Sequence, residues 1–201
     1  FFKVGKKKYN DDLLNGNIYM NPLCYFRKLD EADKGDDQEG TYISAHFKAY
    51  TKNGELLCEG EIRFRLNEID YSPVFCLALP ECVQKNDTFE FAFPDRLIEA
   101  FYQDDGDVYS VVCISKALFI DRIASAAHEQ GLGLLYGPVK YDDANLSYSP
   151  NDPYAAAFHK RTSYSYQNEY RLLLQKEIAA DAHYNFQIGD IHDIAYEAFR
   201  I

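Results

Sequence analysis

The chain has 201 residues, 47% of them hydrophobic, with 17 tyrosines, 14 phenylalanines and no tryptophan. Against 32 Asp and Glu stand 21 Lys and Arg, a formal charge of −11. Such a field repels DNA and RNA at long range and argues against a general nucleic-acid-binding module. Five cysteines without a C-x-x-C pair predict reduced thiols and a cytoplasmic chain rather than a disulfide framework. No apolar run approaches the roughly 20 residues that cross a bilayer, so no membrane association is expected.

The length predicts one domain over 1–201 with its own core. Phe1–Val4 reads as a first strand, followed by a short helix around Asn10–Leu14, a breaker at Asn15-Gly16 and a brief strand over Asn17–Met20. Residues 27–40 are almost wholly polar and predict a long loop, placed as a mobile lid. From Thr41 to Tyr50 the chain alternates, with Ile43, Ala45, Phe47 and Ala49 on one face. Asn53-Gly54 supplies turn chemistry, and Ile62, Phe64 and Leu66 line the returning strand.

Pro73–Leu79 predicts a central strand, Phe93–Phe101 a short helix and Val108–Ile114 another buried strand. Ser115 is the expected N-cap of a helix reaching about Gly131, which buries Phe119, Ile123 and Ala127. Strands over Leu134–Tyr141, Tyr170–Gln175 and Tyr184–Ile188 follow, with a short helix over Tyr154–His159. The fold class predicted is α+β, mostly antiparallel, with a few flanking helices.

The most site-like stretch runs from Phe158 to Leu174, where Gln167 and Glu169 stand two apart at the mouth of a strand. Positions i and i+2 of a strand point to one side, so the pair can meet one ligand. A carboxylate there can face an oxocarbenium-like centre, while the amide orients an acceptor. Arg171 falls on the same face and either binds phosphate or pairs with Glu169. Lys160 and Arg161 form a small basic patch beside them.

Tyr164-Ser-Tyr-Gln-Asn-Glu-Tyr-Arg171 resembles the turn and following strand of ADP-ribosyltransferases, which open a strand on Gln-x-Glu or Glu-x-Glu. The resemblance implies a split sheet that binds NAD, with Glu169 catalytic and Gln167 selecting the acceptor. That acceptor would be an unknown protein or nucleic acid. It also implies roles for Arg27 or Lys160 at the pyrophosphate and for Tyr164 and Ser44 in the NAD-holding half. Those transferases carry Arg or His on the first strand, where this chain offers only Lys3.

The opening from Asp12 to Phe26 is similar to a widespread bacterial family of unknown function, with members near phage-defence genes. That resemblance implies a defence or toxin role. Within it, Tyr19 and Asn21 share a strand face that reaches a cleft, and the planar fork of Arg27 suits an anion.

Asp36, Asp37 and Glu39 predict a solvated acidic loop, and no metal is expected. The five histidines form no ligand spacing. No phosphate loop, dinucleotide fingerprint or Gly-x-Ser-x-Gly elbow is present. The expected function is therefore ADP-ribosyl transfer from NAD. The alternative is a non-catalytic module that senses a nucleotide or a protein through the same cleft.

Overall fold

The structure, a computed structural model, describes residues 1–28, 36–86, 88–92, 95–101, 105–144 and 146–200. Side chains at 44, 45, 83, 89, 92, 95, 100 and 101 also lie outside the description. β1 (Phe2–Lys6), α1 (Lys7–Leu14), β2 (Asn17–Pro22) and α2 (Leu23–Phe26) open the chain. The hairpin β3 (Tyr42–Tyr50) and β4 (Leu56–Phe64) follows, then α3 (Asn67–Asp70) and β5 (Pro73–Ala78). A second hairpin, β6 (Glu81–Lys85) and β7 (Thr88–Ala92), precedes α4 (Asp95–Phe101), β8 (Tyr109–Ile114) and α5 (Lys116–Glu129). β9 (Gly133–Pro138), β10 (Lys140–Tyr141), β11 (His159–Lys160), β12 (Glu169–Gln175), β13 (Tyr184–Gln187) and β14 (Ala195–Arg200) complete it. Short 3-10 helices cover Ala155–Phe158 and Thr162–Gln167.

Eight strands form one sheet, in the order β13-β2-β5-β1-β8-β14, with β12 joining β5 to β9. Every pairing in it is antiparallel. The α+β, mostly antiparallel class holds. β12 is central and packed on both faces, which explains its unbroken apolar run. Its Tyr170, Leu172 and Leu174 join Phe119, Ile123 and Ala127 of α5 in the larger core. Leu173 points the other way, to a smaller core with Leu23, Tyr42, Ile69 and Val74.

The feature that positions the site is a break in the pairing along β5. β12 runs along one edge of β5, from Val74 to Ala78. Two strands share the other edge: β2 puts Asn21 opposite Val74 and Pro22 opposite Pro73, while β1 puts Phe2 opposite Ala78. On that edge Phe75, Cys76 and Leu77 pair with no strand among the described residues, and β1 and β2 diverge around a gap.

The turn after α1 makes that divergence possible. Gly16 has φ +83°, and a Cβ there would stand 1.9 Å from the Gly189 carbonyl oxygen. Only glycine combines the left-handed backbone with so close an approach. The contact seats β2 against β13.

Several expectations need correction. Three strands lie where none is read from the sequence: β6 and β7 in a weakly alternating segment, and β14 near the end of the chain. The predicted strand over Leu134–Tyr141 is divided, since β10 leaves the main sheet to pair with β11 in parallel. Ser115 precedes α5 as predicted but makes no side-chain capping bond. Cys58 is exposed on β4. No described helix is long and apolar enough to cross a membrane.

Candidate functional site

The gap opens into a cavity of about 440 Å³, within the range of about 300–1,000 Å³ usual for small-molecule sites. Phe2, Val4, Phe75, Leu77 and Leu97 give it apolar walls. Tyr9, Tyr19, Tyr25 and Phe26 bring aromatic rings, and Asn17, Asn21 and Gln167 bring carboxamides. Tyr9, Tyr19 and Tyr25 are all exposed. The Tyr19 ring stacks on His183, with centroids 4.5 Å apart, and its centroid lies 6.3 Å from that of Tyr9.

At the gap itself, Lys3 Nζ donates to the Cys76 carbonyl at 2.9 Å and rests 4.5 Å from the centre of the Phe75 ring. The N–H and C=O of one residue in an extended strand point the same way. The Cys76 N–H therefore faces the gap as well, beside the Lys3 amine. Among the described residues no carboxylate lies within ion-pair distance of Lys3. Burial pushes the pKa of this lysine down, against smaller opposing contributions from Cys76 and Glu169. Burial likewise pushes the Cys76 thiol up to about 12, so it is not a thiolate nucleophile.

Gln167 and Glu169 do reach this cavity, but not as alternate residues of one strand. Gln167 ends a 3-10 helix, Asn168 turns in the left-handed region (φ 38°) and Glu169 begins β12. Asn168 is pinned by its amide, which donates to the Leu79 carbonyl, and by its own carbonyl, which accepts from the Leu79 N–H at 2.8 Å. The Glu169 N–H donates to the Tyr141 hydroxyl at 2.9 Å.

Both oxygens of Glu169 are engaged. Oε2 accepts from Lys160 Nζ at 2.7 Å and Oε1 from Arg171 Nε at 2.7 Å. Lys160 also donates to Gln167 Oε1 at 2.9 Å and stands 3.7 Å from Glu39 Oε1. Arg171, with no exposed surface, donates further to the Ala157 carbonyl and to Glu39.

Two cations and two carboxylates thus close a buried, formally neutral square. Burial acts to raise the Glu169 pKa, but Arg171 and Lys160 outweigh it and hold the carboxyl well below the usual range. Lys160 and Arg171 show the converse: burial works against their charge, and Glu169 with Glu39 raises both above the usual values.

The square also fixes the acidic segment. Asp36 and Glu39, expected in a solvated loop, are each 1% exposed. Asp36 accepts from Arg161 at 2.9 Å, and Glu39 from Arg171. Arg27 grips Asp70 with both terminal nitrogens and donates to the Glu39 carbonyl at 2.8 Å. These carboxylates serve as arginine acceptors, and no metal-holding cluster occurs among the described residues. Of the proposed lid, residues 29–35 lie outside the described residues.

The predicted site residues therefore divide. Tyr19, Asn21, Lys160, Gln167 and Glu169 line one cavity. Arg27 and Arg171 are committed to carboxylates and do not line it. Tyr164 is buried beneath Lys160 and Arg161, outside the lining. The Ser44 side chain lies outside the described residues. Sequence reasoning did not place Tyr9, Asn17, Tyr25 or Lys3 in the site. For Lys3 a signal existed: a lone charge inside Phe-Phe-Lys-Val demands a polar destination within the sheet.

No family model, curated protein or solved structure matches this chain.

Proposed function

We propose that the chain is a binding module for a nucleoside or nucleotide, which it holds without transforming it. The observation that carries this reading is the cavity at the gap in β5, where aromatic rings, carboxamides and the amines of Lys3 and Lys160 converge. A nucleobase offers what such a lining takes. Its faces stack on tyrosine, and its edge exchanges hydrogen bonds with Asn and Gln amides. The base lies at the Tyr19 mouth beside Asn17 and Asn21, and the sugar end points inward to Lys3 and the Cys76 N–H.

The non-catalytic character follows from charge. A carboxylate stabilises a developing oxocarbenium ion through negative charge left uncompensated at that point. Glu169 shares its charge with Lys160 and Arg171, so it serves to fix the Gln167–Asn168–Glu169 turn that walls the cavity. Calorimetric titration with a panel of nucleosides, mononucleotides and NAD tests the reading. Saturable binding that Tyr19→Ala and Asn21→Ala weaken supports it, and no heat from any member of the panel contradicts it.

One observation favours a second reading, ADP-ribosyl transfer from NAD. Gln167 and Glu169 line the same cavity as Tyr19 and the first-strand Lys3. Incubation with labelled NAD and cell lysate separates the two. Label transfer or nicotinamide release that Glu169→Gln abolishes favours transfer. The resemblance of the opening segment adds a role in phage defence to either reading, tested by whether deleting the gene alters plaque formation.

A further inference from the structure

We propose that Lys3 is a reactive amine that captures an aldehyde in the cavity as an imine, so that the natural ligand presents a carbonyl carbon at the gap in the sheet. The inference rests on the binding role of the cavity proposed above.

The geometry singles out this lysine. Among the described residues Lys3 Nζ has one hydrogen-bond acceptor, the Cys76 carbonyl, and it faces a cavity walled by Phe2, Val4, Phe75 and Leu77. The neighbouring lysines differ. Lys6 donates to Asp105 and Lys7 to Asp11, and both are raised in pKa by those bonds. Lys160 donates to Gln167 and to the Glu169 carboxylate. Lys3 alone among these four is shifted toward the neutral amine, by burial. A desolvated lysine of this kind is the one that attacks carbonyl carbon.

Charge also decides what Lys3 meets. A phosphate in this place would confront apolar walls, one lysine of weakened charge and the nearby Glu169 carboxylate. A dianion buried there is poorly compensated. A carbonyl is neutral and needs a single donor for its oxygen, which the Cys76 N–H supplies beside the amine.

The step balances without any further reagent. The Lys3 nitrogen lone pair forms the C–N bond, and the carbonyl π pair moves to oxygen, which takes a proton from nitrogen. The carbinolamine then loses its hydroxyl and the second nitrogen proton as water, leaving C=N. Within the nucleotide reading the ligand class is a nucleotide that carries a second, reducing ribose, whose open-chain form is an aldehyde, because a ribose bonded to its base at C1′ has no carbonyl to present.

The test is reductive trapping. The intact protein is incubated at neutral pH with salicylaldehyde, a planar aldehyde without a phosphate, and cyanoborohydride, and the labelled peptides are mapped by mass spectrometry. Lys3 is expected to be labelled several-fold faster than exposed lysines such as Lys48 and Lys52. Lys3→Arg should lose this label and keep the thermal midpoint. If that variant fails to fold, labelling of the parent in urea replaces it, since a preference made by the fold must vanish there. Label spread over exposed lysines with Lys3 unmodified overturns the proposal. Nucleotide titration is scored separately: binding without Lys3 labelling sinks only the imine, and labelling without nucleotide binding sinks only the nucleotide reading.

Discussion

Lys3 Nζ lies 2.9 Å from the Cys76 carbonyl oxygen, and this bond falls at the middle of the three residues of β5 that neither β1 nor β2 reaches. A sheet edge left open costs free energy unless its polar groups find partners. Here a side chain from the adjoining strand supplies one partner and leaves room beside it. The cavity is thus a consequence of strand pairing. Its floor is backbone, which no substitution at position 76 removes.

Replacing Lys3 by Met removes the donor to Cys76 and also removes a half-buried amine. An unsatisfied carbonyl costs about 1–3 kcal/mol, and relief of the amine's desolvation offsets part of that. The expected result is a modest loss in urea-unfolding stability, with loss of ligand-induced stabilisation. A variant as fully stabilised by ligand as the parent would mean that nothing bound touches Lys3.

Glu169→Gln should behave as a structural lesion. It leaves Lys160 and Arg171 buried with one carboxylate, Glu39, between them. Breaking a buried pair from one side costs about 3–5 kcal/mol. Gln167→Ala removes one acceptor from Lys160 and should cost about 1 kcal/mol. Urea titrations of the two variants check the ranking. Equal stability for Glu169→Gln and the parent would return Glu169 to the list of catalytic candidates.

Acid unfolding should depend on the same carboxylate. The Glu169 pKa is depressed in the folded chain, so the unfolded chain binds the proton more tightly and stability rises with pH through that window. The contribution is complete above the unfolded value of about 4.3 and is lost as pH falls below it. Unfolding free energies measured from pH 6 to pH 2.5 should therefore fall steeply at the acid end. In Glu169→Gln the slope is smaller.

Tyr19→Ala removes a ring that is 45% exposed, so stability should change by less than about 0.5 kcal/mol. Base stacking on an aromatic ring contributes about 1–3 kcal/mol, and nucleotide affinity should fall by roughly tenfold or more. Unchanged affinity would move the base away from the mouth of the cavity.

Most of the regular structure is legible in the sequence because period and punctuation agree. The alternation from Thr41, the apolar run of β5 and the i, i+4 spacing of Phe119, Ile123 and Ala127 each meet the element they predict. β14 escapes because its alternation is carried by exposed residues such as Tyr196 and Phe199. In the site, spacing brings Gln167 and Glu169 to one cavity for the wrong reason, since a left-handed Asn168 does what strand alternation was expected to do. The partners of Glu169 are less legible. Glu39 stands 132 residues before Arg171, and no local pattern announces a contact so distant in the chain. The gap in β5 is a property of how three strands meet, and no single segment encodes it.

The central claim is that this cavity holds a nucleoside or nucleotide and leaves it unchanged. Calorimetric titration of the parent and of Tyr19→Ala with nucleosides, nucleotides and NAD, with nicotinamide release followed in the same samples, tests it most directly. Saturable binding, weakened in Tyr19→Ala and accompanied by no nicotinamide, is the predicted result. The absence of binding by every ligand, or NAD cleavage that disappears in Glu169→Gln, would contradict it.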